Sequence, residues 1–502
     1  MSDKLNRLQT LLARVAHLES ASAVLSWDQE TYMPAGGAEA RAHHLATLNQ
    51  LGHELFTSEE IGTLLDELQD EYSDADPDSY EASLVRVTKR DYDKATKIPP
   101  ELIAELSRTS SHAKEAWKQA RETDDFPKFQ PHLEKLVDLN RRIADAIGYA
   151  DRMYDALLDN FEPEMKTADV ERIFQDLREK LVPIVQQISE REPPENAVVH
   201  REFPKDKQWE FGLSVIADYG FDMTSGRQDY ATHPFTISFA PSDVRLTTRI
   251  QEDYLPSGLF GTLHECGHGL YEQGIPKDIA DTPLGSNASL GLHESQSRLW
   301  ENLVGRSYSF WRHYYPQLKE MFPEQLRDVG LDHFYRAINR AEPSFIRVEA
   351  DEVTYNLHIM LRFELENAML DGEIAIKDLP DAWNAKMEDY LGITPPNHAE
   401  GVLQDIHWSM GALGYFPTYA LGNLMSCQLY RAAGESISDL EGQIANGQFS
   451  DLLGWMRENV HQHGKKYAPQ DLLKRATGQT LGADDFVGYI REKYSGIYGA
   501  LD

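Results

Sequence analysis

The octapeptide Thr262-Leu263-His264-Glu265-Cys266-Gly267-His268-Gly269 constrains this chain more than any other stretch. Histidines four residues apart lie about one turn from each other on one face of an α-helix, so both imidazoles can reach a single zinc ion. Glu265 projects roughly 100° further round the helix. That keeps it out of the ligand set but beside the water position, where a carboxylate serves as general base. Pro256 and Ser257 mark the helix start, Leu259, Phe260, Leu263 and Leu270 follow helical spacing, and the chain turns at Gly274-Ile275-Pro276. Such flanks demand burial on one side. A surface helix with two ordinary histidines is disfavoured, because two imidazoles and a carboxylate would meet a core without partners.

Around this helix the sequence supplies mostly further helices. Leu5, Leu8, Leu11, Leu12, Val15 and Leu18 recur at three and four residues, predicting a first helix towards Trp27. After the break at Pro34-Ala35-Gly36-Gly37, a second runs through Ala40, Leu45, Leu48, Leu51 and Leu55. Helices follow over 79–97, 100–122, 129–147 and 168–189, the last with a kink at Pro183. Others are expected over 289–310, from Phe334, over 344–370, and between Trp408 and the end. The one strand signal lies just ahead of the motif: the alternating runs 235–239 and 244–248, joined by Ala240-Pro241-Ser242-Asp243. The expected fold is therefore mainly α, with a small β-sheet bordering the zinc site. An edge strand there can receive a peptide as an added strand.

No linker, repeat or low-complexity run divides the 502 residues, so a single domain over 1–502 is expected. The net charge of -33 disfavours any sequence-independent hold on nucleic acid or an anionic membrane. With two cysteines, Cys266 and Cys427, a structural disulfide is not expected, and Cys266 reads as a packing residue. The start Met1-Ser2-Asp3-Lys4 has no signal-like apolar run and no stretch reaches membrane-spanning length, which points to the cytoplasm.

A hydrolytic zinc site takes three protein ligands and leaves a fourth position for water. Glu294, 26 residues after His268 and within a helical pattern, is the best candidate for the third, with His293 as its rival. Six short blocks then stand in order: His233-Pro234-Phe235, Asp243-Val244-Arg245-Leu246-Thr247, the zinc motif, His293-Glu294-Ser295-Gln296, Ile346-Arg347-Val348-Glu349-Ala350-Asp351, and Gly401-Val402-Leu403-Gln404-Asp405-Ile406-His407-Trp408. With them the chain resembles the carboxypeptidase Taq family of metallopeptidases over nearly its whole length. The resemblance implies removal of single residues from peptide C-termini, using zinc or, in some members, cobalt. It selects His264, His268 and Glu294 as metal ligands and Glu265 as the catalytic carboxylate. It also implies a helical body with a deep substrate groove, and a homodimer. An N-terminal helical part, about 1–160, is expected to cover that groove, with the catalytic part at about 200–430.

The remaining roles follow from the chemistry. The tetrahedral intermediate needs donors, for which His407, Tyr415 and Tyr419 are candidates, each with the alternative of a satisfied buried residue. His233 is a substrate donor or a brace for its strand. An exopeptidase must receive the free carboxylate of its substrate, best with a two-pronged guanidinium. Arg347 is preferred over Arg245, although either could instead pair with Glu349, Asp351 or Asp243. An internally cutting oligopeptidase and a peptide-binding protein with a vestigial metal site are the competing readings. Retention of Glu265 argues against the second.

Overall fold

Apolar residues at three- and four-residue spacing fold into helices along most of the computed structural model, which describes residues 2–501. The first helix, Asp3–Thr31, begins at Ser2, whose hydroxyl accepts the N–H of Leu5, and buries Leu5, Leu8, Leu11, Leu12 and Val15. Helices at Ala38–Phe56, Tyr80–Lys97, Pro100–Glu122, Phe126–Ile147 and Thr167–Ser189 lie where the periodicity places them. The last of these continues through Pro183.

Four differences from expectation have local causes. A helix at Glu59–Glu71, which buries Ile61, Leu65 and Leu68, adds to those anticipated. So does Lys205–Asp218. The helix expected from Ser344 starts only at Tyr355, because Asp351 turns its carboxylate onto the N–H groups of Val353 and Thr354, and ahead of it the chain makes only a 3₁₀ turn at Arg347–Glu349. The run 289–310 divides into a helix at Leu290–Arg298, a π-helical turn at Leu299–Val304 and a new helix from Tyr308, capped by Ser307.

The described residues form two compact units, each built from three chain segments. The first takes residues 2–96, 195–338 and 429–479, and the second 97–194, 339–428 and 480–501. In the first, Leu5, Leu8, Leu11 and Leu12 pack with Ile61, Leu65, Leu68, Leu84 and Val87, and with Ile275 and Ile279 just beyond the helix that carries His264 and His268. Each such side chain contributes about 1.5–3 kcal/mol by leaving water. The sheet also belongs here: β1 (Gly226–Tyr230), β2 (Thr236–Ala240) and β3 (Asp243–Thr248), in the order β1-β3-β2. β2 pairs antiparallel to β3 with a register shift between Ser238 and Ala240, as the connection predicts, while β1 pairs parallel to β3.

The motif helix, Leu255–Gly274, lies against the sheet with thirteen buried residues. It is apolar almost all round, as a core helix must be. Gly267 permits its closest approach to the next helix, since a Cβ there would stand 2.5 Å from the carbonyl oxygen of Gln296 and 2.6 Å from Ser297 Cα. In the second unit the Trp117 indole donates to the Leu403 carbonyl at 2.8 Å. Arg141 caps the C-terminal carbonyls of Met369 and Leu370. Among the described residues, no helix is long and apolar enough to cross a membrane.

Candidate metal centre

His264 and His268 stand on the motif helix and Glu294 on the helix that crosses it at Gly267. One ligand atom from each of the three comes within 4.8 Å of the other two. Glu294 Oε2 is 3.7 Å from His264 Nε2 and 3.5 Å from His268 Nε2. These separations are long for hydrogen bonds. They suit a shared ion: with bonds of about 2.0–2.2 Å, the donor–donor edge of a tetrahedral site is roughly 3.3–3.6 Å. The donor set, two imidazoles and a carboxylate, also fits such an ion.

Electrostatics agree. Burial pushes the Glu294 carboxyl up, but Arg298, whose Nε donates to Oε1 at 2.7 Å, and the two histidines hold it well below the usual range. Burial, with His293 adding, pushes His268 down to about 3, so this imidazole is neutral and keeps a lone pair. For His264 burial also acts downward, yet Glu294 and Glu301 outweigh it and raise its affinity for positive charge. The Nδ1 of His264 lies 2.9 Å from Glu301 Oε2. The Nδ1 of His268 is buried without a hydrogen-bond partner among the described residues. The ring of His293 stacks on His268, with centroids 4.3 Å apart and planes 13° apart, while its own Nε2 meets Glu272 Oε1 at 2.9 Å. His293 therefore lies beside the donor set and outside it.

Glu265 is buried one residue beyond His264, and burial raises its pKa. Thr236, the first residue of β2, places its hydroxyl 2.7 Å from Glu265 Oε2. The sheet thus borders the site through a direct contact with the carboxylate. A cavity of about 650 Å³ runs along Thr236–Ala240, walled by Val15, Ala16 and Glu19 of the first helix and by His293. In this unit Arg245 makes two 3.0 Å hydrogen bonds to Asp243 and lies over the rings of Trp27 and Phe239. His233 is exposed in the loop ahead of β2.

Four other singled-out residues gather in the second unit. Arg347, 5% exposed, donates from Nε and Nη2 to Asp405 Oδ1 at 3.1 and 2.8 Å and from Nη1 to the Tyr355 hydroxyl at 2.9 Å. His407 Nε2 is 3.2 Å from the Tyr419 hydroxyl, and the Tyr415 ring lies 5.5 Å from His407 and 5.3 Å from Tyr419. Burial pushes His407 down to about 4, against Asp405 and with Arg347 and Arg362. Asp405 takes a second arginine on its other oxygen, from Arg362 Nε at 2.7 Å.

Residues 7–494 match the carboxypeptidase Taq (M32) metallopeptidase family. The chain belongs to this family. It is 42% identical to thermostable carboxypeptidase 1 of Thermus thermophilus, over 96% of this chain and 97% of that protein. It is 41% identical to carboxypeptidase 1 of Bacillus subtilis, over 97% of each. The crystal structure of the M32 carboxypeptidase from Deinococcus radiodurans superposes with a TM-score of 0.97 at 42% identity, covering 99% of this chain and 100% of that one. The protein is accordingly a metallocarboxypeptidase, a peptide hydrolase that requires a metal. Sequence reasoning on this carboxypeptidase passed over Thr236, Arg298, Glu301, Arg306, Arg362 and the role of Asp405. For Arg298 and Glu301 a signal existed, since they follow Glu294 by four and seven residues on one helical face.

Proposed function

We propose that the metal is zinc, one ion per chain with cobalt able to replace it, held by His264, His268 and Glu294. In this reading the enzyme releases single C-terminal residues from peptides with broad specificity, with Glu265 as base and then acid. The observation that carries it is the donor triad, with Glu294 close to tetrahedral-edge distance from both histidines, beside a buried glutamate. When bound, zinc polarises the scissile carbonyl and lowers the pKa of water at its open position. Glu265 acts on that water's proton: Thr236 holds Oε2, so Oε1 accepts the proton and returns it to the leaving amine. Burial raises the carboxylate's proton affinity, as this shuttle requires.

The substrate is a peptide lying along the edge strand β2, whose residues line the cavity. For its free carboxylate the first choice is Arg347, which commits three of five N–H donors to Asp405 and Tyr355. Arg245 is the second choice. Oxyanion donation is proposed for His407, Tyr419 and Tyr415, and substrate hydrogen bonding for His233. The wider setting is a homodimer in the cytoplasm with no nucleic-acid or membrane partner. The net charge of -33 supports exclusion of anionic polymers, and analytical ultracentrifugation tests the dimer.

The decisive experiment compares one unblocked peptide with its C-terminally amidated twin by mass spectrometry, using zinc-loaded and chelator-treated enzyme. Stepwise C-terminal loss from the free peptide alone, abolished by chelation, is expected. Internal cleavage of both peptides would overturn the exopeptidase assignment.

A further inference from the structure

The Nδ1 atoms of His264 and His268 have different surroundings: a carboxylate faces that of His264 and no hydrogen-bond partner among the described residues meets that of His268. We infer that Glu301 is a positioning residue for the metal centre: it fixes the tautomer and ring orientation of His264 and adds negative charge behind the ion. This inference rests on the assignment of His264 as a ligand.

Three observations carry it. First, Glu301 Oε2 lies 2.9 Å from His264 Nδ1. A proton held there leaves the lone pair on Nε2, the atom that faces Glu294 and His268. Second, Glu301 stands in a π-helical turn, Leu299–Val304, closed by the Gly305 N–H on the Trp300 carbonyl at 3.0 Å. This wider turn is seated on the motif helix: a Cβ on Gly305 would stand 2.7 Å from Leu263 Cδ1, one residue before His264. Third, Glu301 is itself anchored, by Arg306 Nη2 at 3.2 Å and Arg298 Nη1 at 3.5 Å. Arg306 is fixed in turn by its bond to the Ile338 carbonyl and by the face of Phe260. Among the described residues His268 Nδ1 has no such hydrogen-bonded carboxylate, and the ring of His293 stacks on its face.

The test measures zinc affinity by chelator competition, the visible spectrum of the cobalt-substituted protein, and unfolding of the metal-free protein. E301Q keeps the shape and removes the charge, while E301A removes the acceptor. A 10- to 100-fold weaker zinc affinity is expected for each, with a changed cobalt spectrum and a lower kcat at nearly constant KM. E301Q remains informative if E301A does not fold. If E301Q binds zinc within twofold of wild type with an unchanged cobalt spectrum, the inference is overturned, and a loss confined to stability of the metal-free protein would mark Glu301 as structural. H264A separates the two readings. If it abolishes stoichiometric zinc binding while E301Q does not weaken it, only this inference fails, whereas unaltered zinc binding by H264A removes the metal centre on which it rests.

Discussion

The two units each bury a cluster of charge, and the clusters are finished in opposite ways. Around Asp405 short directed hydrogen bonds join the opposite charges: Oδ1 receives Arg347 at 2.8 Å and Oδ2 receives Arg362 at 2.7 Å. These guanidiniums hold Asp405 far below the usual carboxylate range against the upward push of burial. Around Glu294 the groups converge: Arg298 donates at 2.7 Å, but the two histidines stand off at 3.5 and 3.7 Å. A closed network holds a shape. A converging one presents donors at a spacing that suits a shared cation.

The largest effect that should separate the clusters is catalytic. Replacing Glu265 with Gln is expected to lower kcat by about 10²–10⁴-fold, with zinc content unchanged by atomic absorption. Unimpaired hydrolysis would take Glu265 out of the reaction. Next in size is D405A, which leaves two buried guanidiniums uncompensated and should cost about 3–5 kcal/mol in denaturant unfolding. The loss should be equal with and without zinc. A loss that depends on zinc would show that the two clusters are coupled, and the contrast drawn above would fail.

What was legible in the sequence follows the same division. Features repeated along one element could be read directly: the i, i+4 histidines, the leucines of the first helix, and the alternation in β2 and β3. A helix at Glu59–Glu71 could also have been read, since Ile61, Leu65 and Leu68 have the spacing. Features made by contact between distant segments could not. β1, Gly-Arg-Gln-Asp-Tyr, has no alternation to detect and exists through parallel pairing with β3. Residues 346–351 form a short 3₁₀ turn at Arg347–Glu349 in place of the expected α-helix, because the Arg347 N–H is taken by Gln404 Oε1 at 2.8 Å and Asp351 turns its carboxylate onto the N–H groups just ahead of Tyr355. Arg347 could be named as important from its block, but nothing local indicates that its partner is Asp405, 58 residues on. Preferring Glu294 to His293 as the proposed third ligand needed the family resemblance, because the choice depends on the helix crossing at Gly267.

A further test sharpens the second cluster. Glu366 is fully buried beside it and accepts hydrogen bonds from the Trp408 indole at 2.8 Å, Tyr154 hydroxyl at 2.7 Å and Gly414 N–H at 3.0 Å. Burial dominates those donors and pushes its pKa up to about 7. A carboxyl raised in the folded state binds its proton more tightly there than when unfolded, so its contribution is full below about pH 4.5 and is lost as pH rises through about 7. E366Q cannot ionise. Relative to wild type it should gain about 3 kcal/mol between pH 4.5 and pH 8, read as the difference of two denaturant curves at each pH. A difference that stays flat would mean that the three donors keep Glu366 ionised throughout.

The smallest effect returns to the open cluster and asks how firmly it is built. Glu294 lies on a helix of nine residues whose N-cap, Ser289, is 4% exposed and accepts the Leu292 N–H at 3.0 Å. Ser289→Ala removes that acceptor and should cost about 1 kcal/mol of stability. A cap far from any site would have no further consequence. Here Glu294 stands about one turn beyond it, so loosening the cap should loosen the proposed ligand, and zinc affinity should fall a few-fold with the melting temperature of the metal-free protein. If stability drops while zinc affinity holds, the ligand helix is positioned from its other end, by the backbone contact at Gly267 and the ion pair of Arg298 with Glu294. The converging cluster would then owe its geometry to the helix crossing alone.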